Sequence, residues 1–430
     1  MTKPTPGHNY MFIIFDIFYL ILLFFYLPVL GIKRKLHRGY KMRMGFLSDD
    51  LKRKLSSKPN IWLHAVSVGE VLAIADLVEK LKEKFPEKQI VCSVVTKTGY
   101  QIANQKLGKG VVVVYAPLDF SFVVGRFIRN IRPEIYILAE TEIWPNLFHF
   151  LNHARVPIIQ VNGRISDKSY SGYKRVGFIT KAVLSNVKRF CMQSQTDAER
   201  IIHLGARPET VSVIGNLKFD NLPGRDDSHK SGLTANDRNQ WLIAGSTHPG
   251  EEEIVLDSFV QLKRKYDRAR LILCPRHVER TADIHSLIKL KQLCPVNLSV
   301  FNQGSDEGES IIVVDTIGQL RSLYKAAKVV IIGKTFRVGG GQNMIEPASF
   351  GKPVIVGPLT YNFKDIVDLL SREKALVQVS SSDELTEELI DLWGNAVRCQ
   401  SLGMAAQRVV EKYKGATSKT VREIELLLMR

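Results

Sequence analysis

The stretch "NIWLHAVSVGEVLAIADLVEKLKEKFPEKQIVCSVV", residues 60–95, decides the fold. It opens with a short apolar run, "NIWLHAV", and passes through Ser67, Gly69 and Glu70. It continues as "EVLAIADLVEKLKEKF", whose apolar residues recur every three or four positions, and then reaches a second apolar run, "QIVCSVV". Strand, helix and strand, with both strands too apolar to leave a face in water, predict a parallel sheet with a crossover helix. Glu70 poses the functional question, because a carboxylate at a buried strand end is expensive.

The same rhythm continues outward. The runs "GVVVVYAP", "EIYILAE", "VPIIQVNG", "RFCMQS" and "TVSVIGN" extend one α/β domain to about Asp220, and "NLPGRDDSHKSGLTANDRNQ" then reads as a linker. Alternation restarts with "QWLIAGS", "RLILCPR", "SIIVVD", "KVVIIG" and "KPVIVG". The expected organisation is an anchor with its basic flank over 1–45, a first domain over 46–220, a linker over 221–238 and a second domain over 239–430, the last carrying in sequence the C-terminal helix, about Gly403 to Arg430, whose packing is open to either domain. Two such domains would face a cleft at the carboxyl ends of their strands, where open parallel sheets bind ligands.

At 430 residues the chain is long enough for two cores. Sixty Lys and Arg stand against 43 Asp and Glu, a formal charge of +17, which favours phosphate-bearing partners without choosing among them. Five cysteines without a CxxC pair read as reduced thiols of a cytosolic protein. From Met11 to Gly31 the chain reads "MFIIFDIFYLILLFFYLPVLG", about a bilayer's length with Asp16 its only charge, followed by the basic "IKRKLHRGYKMRMG". That flank predicts an uncleaved anchor with everything after it in the cytoplasm. Asp16 and Pro28 leave two forms open, a spanning helix and one lying in the interface.

Polar clusters stand at the strand ends. Glu70 of "HAVSVGE" is a general base on a cleft floor or an acid in a helix's first turn. Glu140 and Glu142 of "AETEIWPN" share a side if the chain is still extended, or serve a helix that starts near Pro145. Lys218 of "GNLKFD" is by itself a surface lysine. "AGSTHPGEEE" reads as a capped helix start whose N–H groups also suit a phosphate, and "CPRH" and "VGGGQNMIEP" let backbone approach a ligand, with Glu346 placed to accept from ribose hydroxyls. No GxxxxGK[ST] and no GxGxxG after a first strand argue against nucleoside triphosphate hydrolysis and dinucleotide redox chemistry. His149 and His153 lack the glutamate of a zinc-protease helix, and no DxD pair is present, so no metal is expected. Aromatic and basic motifs of nucleic-acid readers are missing, which argues against nucleic acid as a partner.

Taken in order, "HAVSVGE", "AETEIWPN", "NGRIS", "GNLKFD", "AGSTHPGEEE", "CPRH", "DTIGQL" and "GGGQNMIEPASFGKPVIVGP" resemble the Kdo transferases. That family moves 3-deoxy-D-manno-oct-2-ulosonic acid (Kdo) from CMP-Kdo to the lipid A precursor in lipopolysaccharide synthesis. The resemblance implies a GT-B glycosyltransferase of two Rossmann-like domains, inverting and metal-independent, anchored in the bacterial inner membrane with its catalytic part cytoplasmic. It implies Glu70 as general base and Glu140 and Lys218 as transition-state stabilisers. It also implies CMP contacts at Pro275, Arg276, Ile317, Gly318, Gln319, Asn343, Met344, Ile345 and Glu346, with Arg276 on phosphate and Glu346 on ribose. CMP-Kdo and the lipid A precursor are then the partners, with no cofactor and no protein partner. Gln342 departs from the histidine that relatives commonly carry before the asparagine. A GT-B transferase using a UDP-sugar and a membrane acceptor is the competing reading, and basic stretches such as "SDKSYSGYKRVGFITK" fit a phosphorylated glycolipid or a solvated helix face.

Overall fold

The computed structural model describes residues 16, 17, 19, 20, 39–220, 240–301 and 310–429. Contacts divide the chain into two compact units, Met1–Asn221 with Lys414–Arg430, and Leu222–Tyr413. Each holds a seven-stranded sheet whose strands pair in parallel.

In the first unit the strands are β1 (Asn60–His64), β2 (Gln89–Val94), β3 (Val111–Tyr115), β4 (Pro133–Ala139), β5 (Ile158–Gly163), β6 (Val187–Met192) and β7 (Val211–Val213). Their order is β3-β2-β1-β4-β5-β6-β7. The chain builds outward from β1 to β3, then returns to β1's other side with β4, so the order reverses between β1 and β4. Alternate residues of each strand feed two cores. Trp62, Val91, Val114, Tyr136 and Ile158 enter one, while Ile61, Leu63, Ile90, Cys92, Ile135 and Ile159 enter the other. Burial on both faces explains why these strands read as continuous apolar runs.

The second unit has β8 (Gln240–Thr247), β9 (Ala269–Pro275), β10 (Cys294–Asn297), β11 (Ser310–Val313), β12 (Ala327–Ile332), β13 (Val354–Val356) and β14 (Val377–Gln378), in the order β10-β11-β9-β8-β12-β13-β14. Its reversal lies between β8 and β12. The two edge strands, β10 and β14, are the ones the apolar pattern does not predict. Pro295 interrupts the first, as suits an edge, and the second is two residues long.

Two expectations need revision, and two fall outside the described residues. The helix expected from Glu70 to Phe85 is two, Val68–Ala73 and Ala75–Lys84, divided at Ile74. The C-terminal helix expected in the second domain is also two, Ala396–Tyr413 and Ala416–Leu428, separated at Gly415, whose φ of 96° needs glycine. The latter helix belongs to the first unit. Ala416 and Ile424 are fully buried in that unit's core, burial worth about 1.5–3 kcal/mol for the isoleucine alone. Asp220 accepts the Gly415 and Thr417 N–H groups at 2.6 Å each, and Lys84 pairs with Glu425 at 2.8 Å. Among the described residues no helix is long and apolar enough to cross a membrane. The anchor expected over residues 11–31 lies outside the described residues except at 16, 17, 19 and 20, and so does the linker over 221–238.

Candidate active site

The carboxyl ends of β1 and β4 flank the reversal point of the first sheet, the position at which open α/β sheets bind ligands. Ser67 caps the helix Val68–Ala73. Its Oγ accepts the Glu70 N–H at 3.4 Å and donates to Glu70 Oε1 at 2.9 Å, and Val66 N–H donates to Oε2 at 2.8 Å. This is a variant of the capping box in which the returning glutamate takes the N–H of Val66, before the N-cap, so the helix-start reading of Glu70 describes how it is held. It does not describe its environment. Glu70 is buried, and that burial, followed by the charge of Glu140, pushes its pKa up to about 7, against the hydrogen bonds from Val66 and Ser67, with Glu142 adding to the rise. A fixed carboxyl that exchanges a proton near neutrality suits general-base work.

Glu140 follows β4 with φ 57°, a left-handed conformation uncommon for a residue with a side chain. Its N–H donates to Val161 O at 2.9 Å, which holds the turn. Glu142 takes the Trp144 indole N–H on Oε2 at 2.8 Å, and the same oxygen lies 3.6 Å from His64 Nε2. His64 is buried, with Nδ1 2.8 Å from Ser93 Oγ, which also accepts the Trp62 indole N–H at 2.9 Å. Sequence reasoning missed His64 and Ser93 because both read as strand interior. Their signal was polarity inside apolar runs.

Lys218 sits in a one-turn 3-10 helix, Leu217–Phe219. Asn162, at φ 53° near the end of β5, accepts the Leu217 N–H at 3.0 Å, and Asn216 accepts the Lys218 N–H at 3.0 Å. Gln193 ties the two asparagines together, donating to Asn162 O and accepting from Asn216 Nδ2, each at 2.9 Å. The motifs "NGRIS" and "GNLKFD" are thus one assembly across the ends of β5, β6 and β7, with Asn162 on the strand that pairs with β4.

In the second unit the loops after β8 and β12 flank the corresponding reversal point. Glu251, 1% exposed, accepts four backbone N–H groups: His248 at 2.9 Å, Lys334 at 2.7 Å, Thr335 at 2.8 Å and Phe336 at 2.9 Å. Of the N–H groups in "AGSTHPGEEE", that of His248 is taken by this carboxylate, and that of Glu251 donates to His248 O at 3.0 Å. Arg276 is exposed at the end of β9, beside the buried Pro275, and its N–H donates to Thr247 O at 3.0 Å. Gly318 turns the chain at φ 92° between Gln319 and Ile317, whose apolar side chain is 87% exposed. Gly340 and Gly341, at φ 121° and 81°, donate to Leu359 O and Lys334 O. A side chain at Gly340 would meet Asn362 at 2.5 Å. Asn343 Oδ1 accepts the Ile345 N–H at 3.1 Å, and Met344 and Ile345 are buried beneath. Glu346 lies 3.5 Å from Arg321, a partner that the motif reading did not include. Burial raises the Glu346 pKa, and Arg321 opposes the rise.

Residues 38–221 match the family described as 3-deoxy-D-manno-octulosonic-acid transferase (kdotransferase). A 3-deoxy-D-manno-octulosonic acid transferase of Haemophilus influenzae is 32% identical over 86% of this chain and 87% of its own. The chain belongs to the Kdo transferase family. A bifunctional glycosyltransferase/methyltransferase of Fusobacterium nucleatum is 39% identical over 78% of this chain, which spans about half of that relative, 53%. A putative UDP-N-acetylglucosamine 2-epimerase from Listeria monocytogenes shares the fold, with a TM-score of 0.56 at 14% identity over 86% of this chain and 96% of its own. In this Kdo transferase Glu70, Glu140 and Glu142 belong to one unit, and the glycine-rich loop with Glu346 to the other.

Proposed function

We propose that this chain transfers Kdo from CMP-Kdo to the lipid A precursor as an inverting GT-B glycosyltransferase, with Glu70 as the general base. The observation that carries this reading is the Glu70 carboxyl, fixed by Val66 and Ser67 and raised to about 7 beside Glu140. Glu70 takes the acceptor hydroxyl's proton as the oxygen bonds to the anomeric carbon of Kdo. The bond from that carbon to the CMP phosphate breaks on the opposite face, and CMP leaves with the electron pair. Lys218 and Arg276 offset the charge that develops on the leaving phosphate, a task that needs no metal ion. Glu346, with Pro275, Ile317 to Gln319 and Asn343 to Ile345, holds the nucleotide. The apolar stretch 11–31 and its basic flank keep the enzyme on the cytoplasmic face of the inner membrane, where a lipid acceptor is found.

The test is incubation of the purified protein with CMP-Kdo and lipid A precursor, with products weighed by mass spectrometry. Products heavier by one or more Kdo residues are expected, and CMP should protect against thermal unfolding where UDP does not. Protection by UDP alone, with no Kdo product, would overturn the assignment.

A further inference from the structure

The one charge in the apolar stretch 11–31 is bound to protein. Asp16 Oδ1 accepts the Ser121 N–H and the Asn146 side-chain amide, each at 2.9 Å, and Oδ2 accepts the Ser121 hydroxyl. These bonds cap the helix Ser121–Ile131, whose own N-cap residue, Phe120, contributes no side-chain bond. Three positions on, at helical spacing, the Tyr19 hydroxyl donates to Asp119 Oδ2 at 3.2 Å, and its ring meets Phe120 edge-on with centroids 5.9 Å apart.

Asp119 is itself a cap. It accepts the Asn146 N–H at 3.0 Å and the Leu147 N–H at 2.8 Å, at the start of the helix Pro145–His153, where Trp144 supplies no side-chain cap. Asn146, fully buried, closes the ring by donating to Asp119 O at 2.6 Å. That helix begins where the Glu140–Trp144 loop ends. A side chain whose task was only to sit in lipid would be apolar at position 16, since an aspartate costs a few kcal/mol in a bilayer.

We propose that Asp16 and Tyr19 are positioning residues. Through Asp119 and Asn146 they fix the start of the helix Pro145–His153 and with it the Glu140–Trp144 loop, so the N-terminal stretch supports the catalytic unit as well as tethering it. The consequence for turnover rests on the functional reading of Glu140 above.

The experiment uses the full-length protein in detergent, with Asp16→Leu, Asp16→Asn and Tyr19→Phe. Leucine suits a membrane better than aspartate, so a pure tether predicts full activity for Asp16→Leu. The proposal predicts a loss in kcat of about tenfold or more, with the KM for CMP-Kdo within about twofold of wild type, and faster hydrogen exchange over residues 140–153. An asparagine side chain at this position keeps an amide oxygen that accepts from the same two donors, so Asp16→Asn should recover kcat to within about threefold of wild type. Wild-type kcat and unchanged exchange in Asp16→Leu would overturn the proposal. Should that variant fail to fold, Tyr19→Phe decides, because it removes a single oxygen. Faster exchange over 140–153 supports the proposal, and wild-type exchange with wild-type kcat sinks it. If the wild type transfers no Kdo, the functional reading fails, and the exchange measurement still tests the positioning.

Discussion

The Glu251 carboxylate receives the Lys334 N–H at 2.7 Å, joining the segments that leave the neighbouring strands β8 and β12. Lys334 has φ 61°, and the three amides from 334 to 336 turn towards one side chain. A buried acid therefore sets the path of the backbone that leads into the glycine-rich loop.

Replacing Glu251 by alanine should cost about 3–5 kcal/mol of stability in urea unfolding, because several buried N–H groups lose a charged acceptor at once. Glu251→Gln keeps one acceptor oxygen and should lose roughly half as much. A cost below about 1 kcal/mol for the alanine variant would mean that water replaces the carboxylate.

The raised Glu70 pKa gives a pH profile with a definite sign. As base the residue must be ionised, so kcat/KM should climb as pH rises through about 7. Glu70→Gln should flatten that limb and lower kcat by about two to four powers of ten. Folding responds in the opposite direction. Between the ordinary carboxyl value of 4.5 and about 7 the folded form holds the proton that the unfolded form releases, so this group's stabilising contribution is lost as pH rises across that window. Glu70→Gln should remove that slope. A rate profile unchanged by the substitution would move the base to Glu140 or Glu142.

At the nucleotide site, Arg276→Ala and Glu346→Ala should each weaken CMP binding by about 1–3 kcal/mol in calorimetry, with the fold intact. Arg321→Met adds a test that the structure suggests. Without the guanidinium 3.5 Å away, burial alone acts on Glu346. Its pKa should therefore rise further, and CMP affinity should fall off at a higher pH than in wild type. Identical pH dependence would place Arg321 outside the site.

Asp220→Ala should cost about 1–2 kcal/mol, since the aspartate is the cap shared by Gly415 and Thr417. Thermal unfolding reports it, and Asp220→Asn should recover much of the loss.

The interior strands were legible because each is an apolar run buried on two faces, and the motifs at their ends could be read because polar residues stand out there. Less legible was whatever depends on contacts distant in sequence. Glu251 looked like one of three acids in a first helical turn, and only the return of residues 334–336 shows that it serves another loop. His64 sat unremarked in the same quoted stretch as Glu70, since its relation to Glu142 needs β4 laid beside β1. Asp16 reads in the sequence as the one charge that leaves the form of the membrane segment open, and its partners at 121 and 146 are more than 100 residues away. The destination of the last helix was invisible for the same reason, because its periodicity fits a groove on either domain.

The return of Lys414–Arg430 to the first unit bears on the order in which the protein takes shape during synthesis. A nascent chain emerges from its amino end, and the second unit has all its residues once Tyr413 is out. The unit begun earliest must wait for the final stretch, with the places of Ala416 and Ile424 unfilled on its sheet. A chain cut short at Tyr413 therefore holds every residue of the second unit but not of the first, and its amino-terminal half should be the more sensitive to protease.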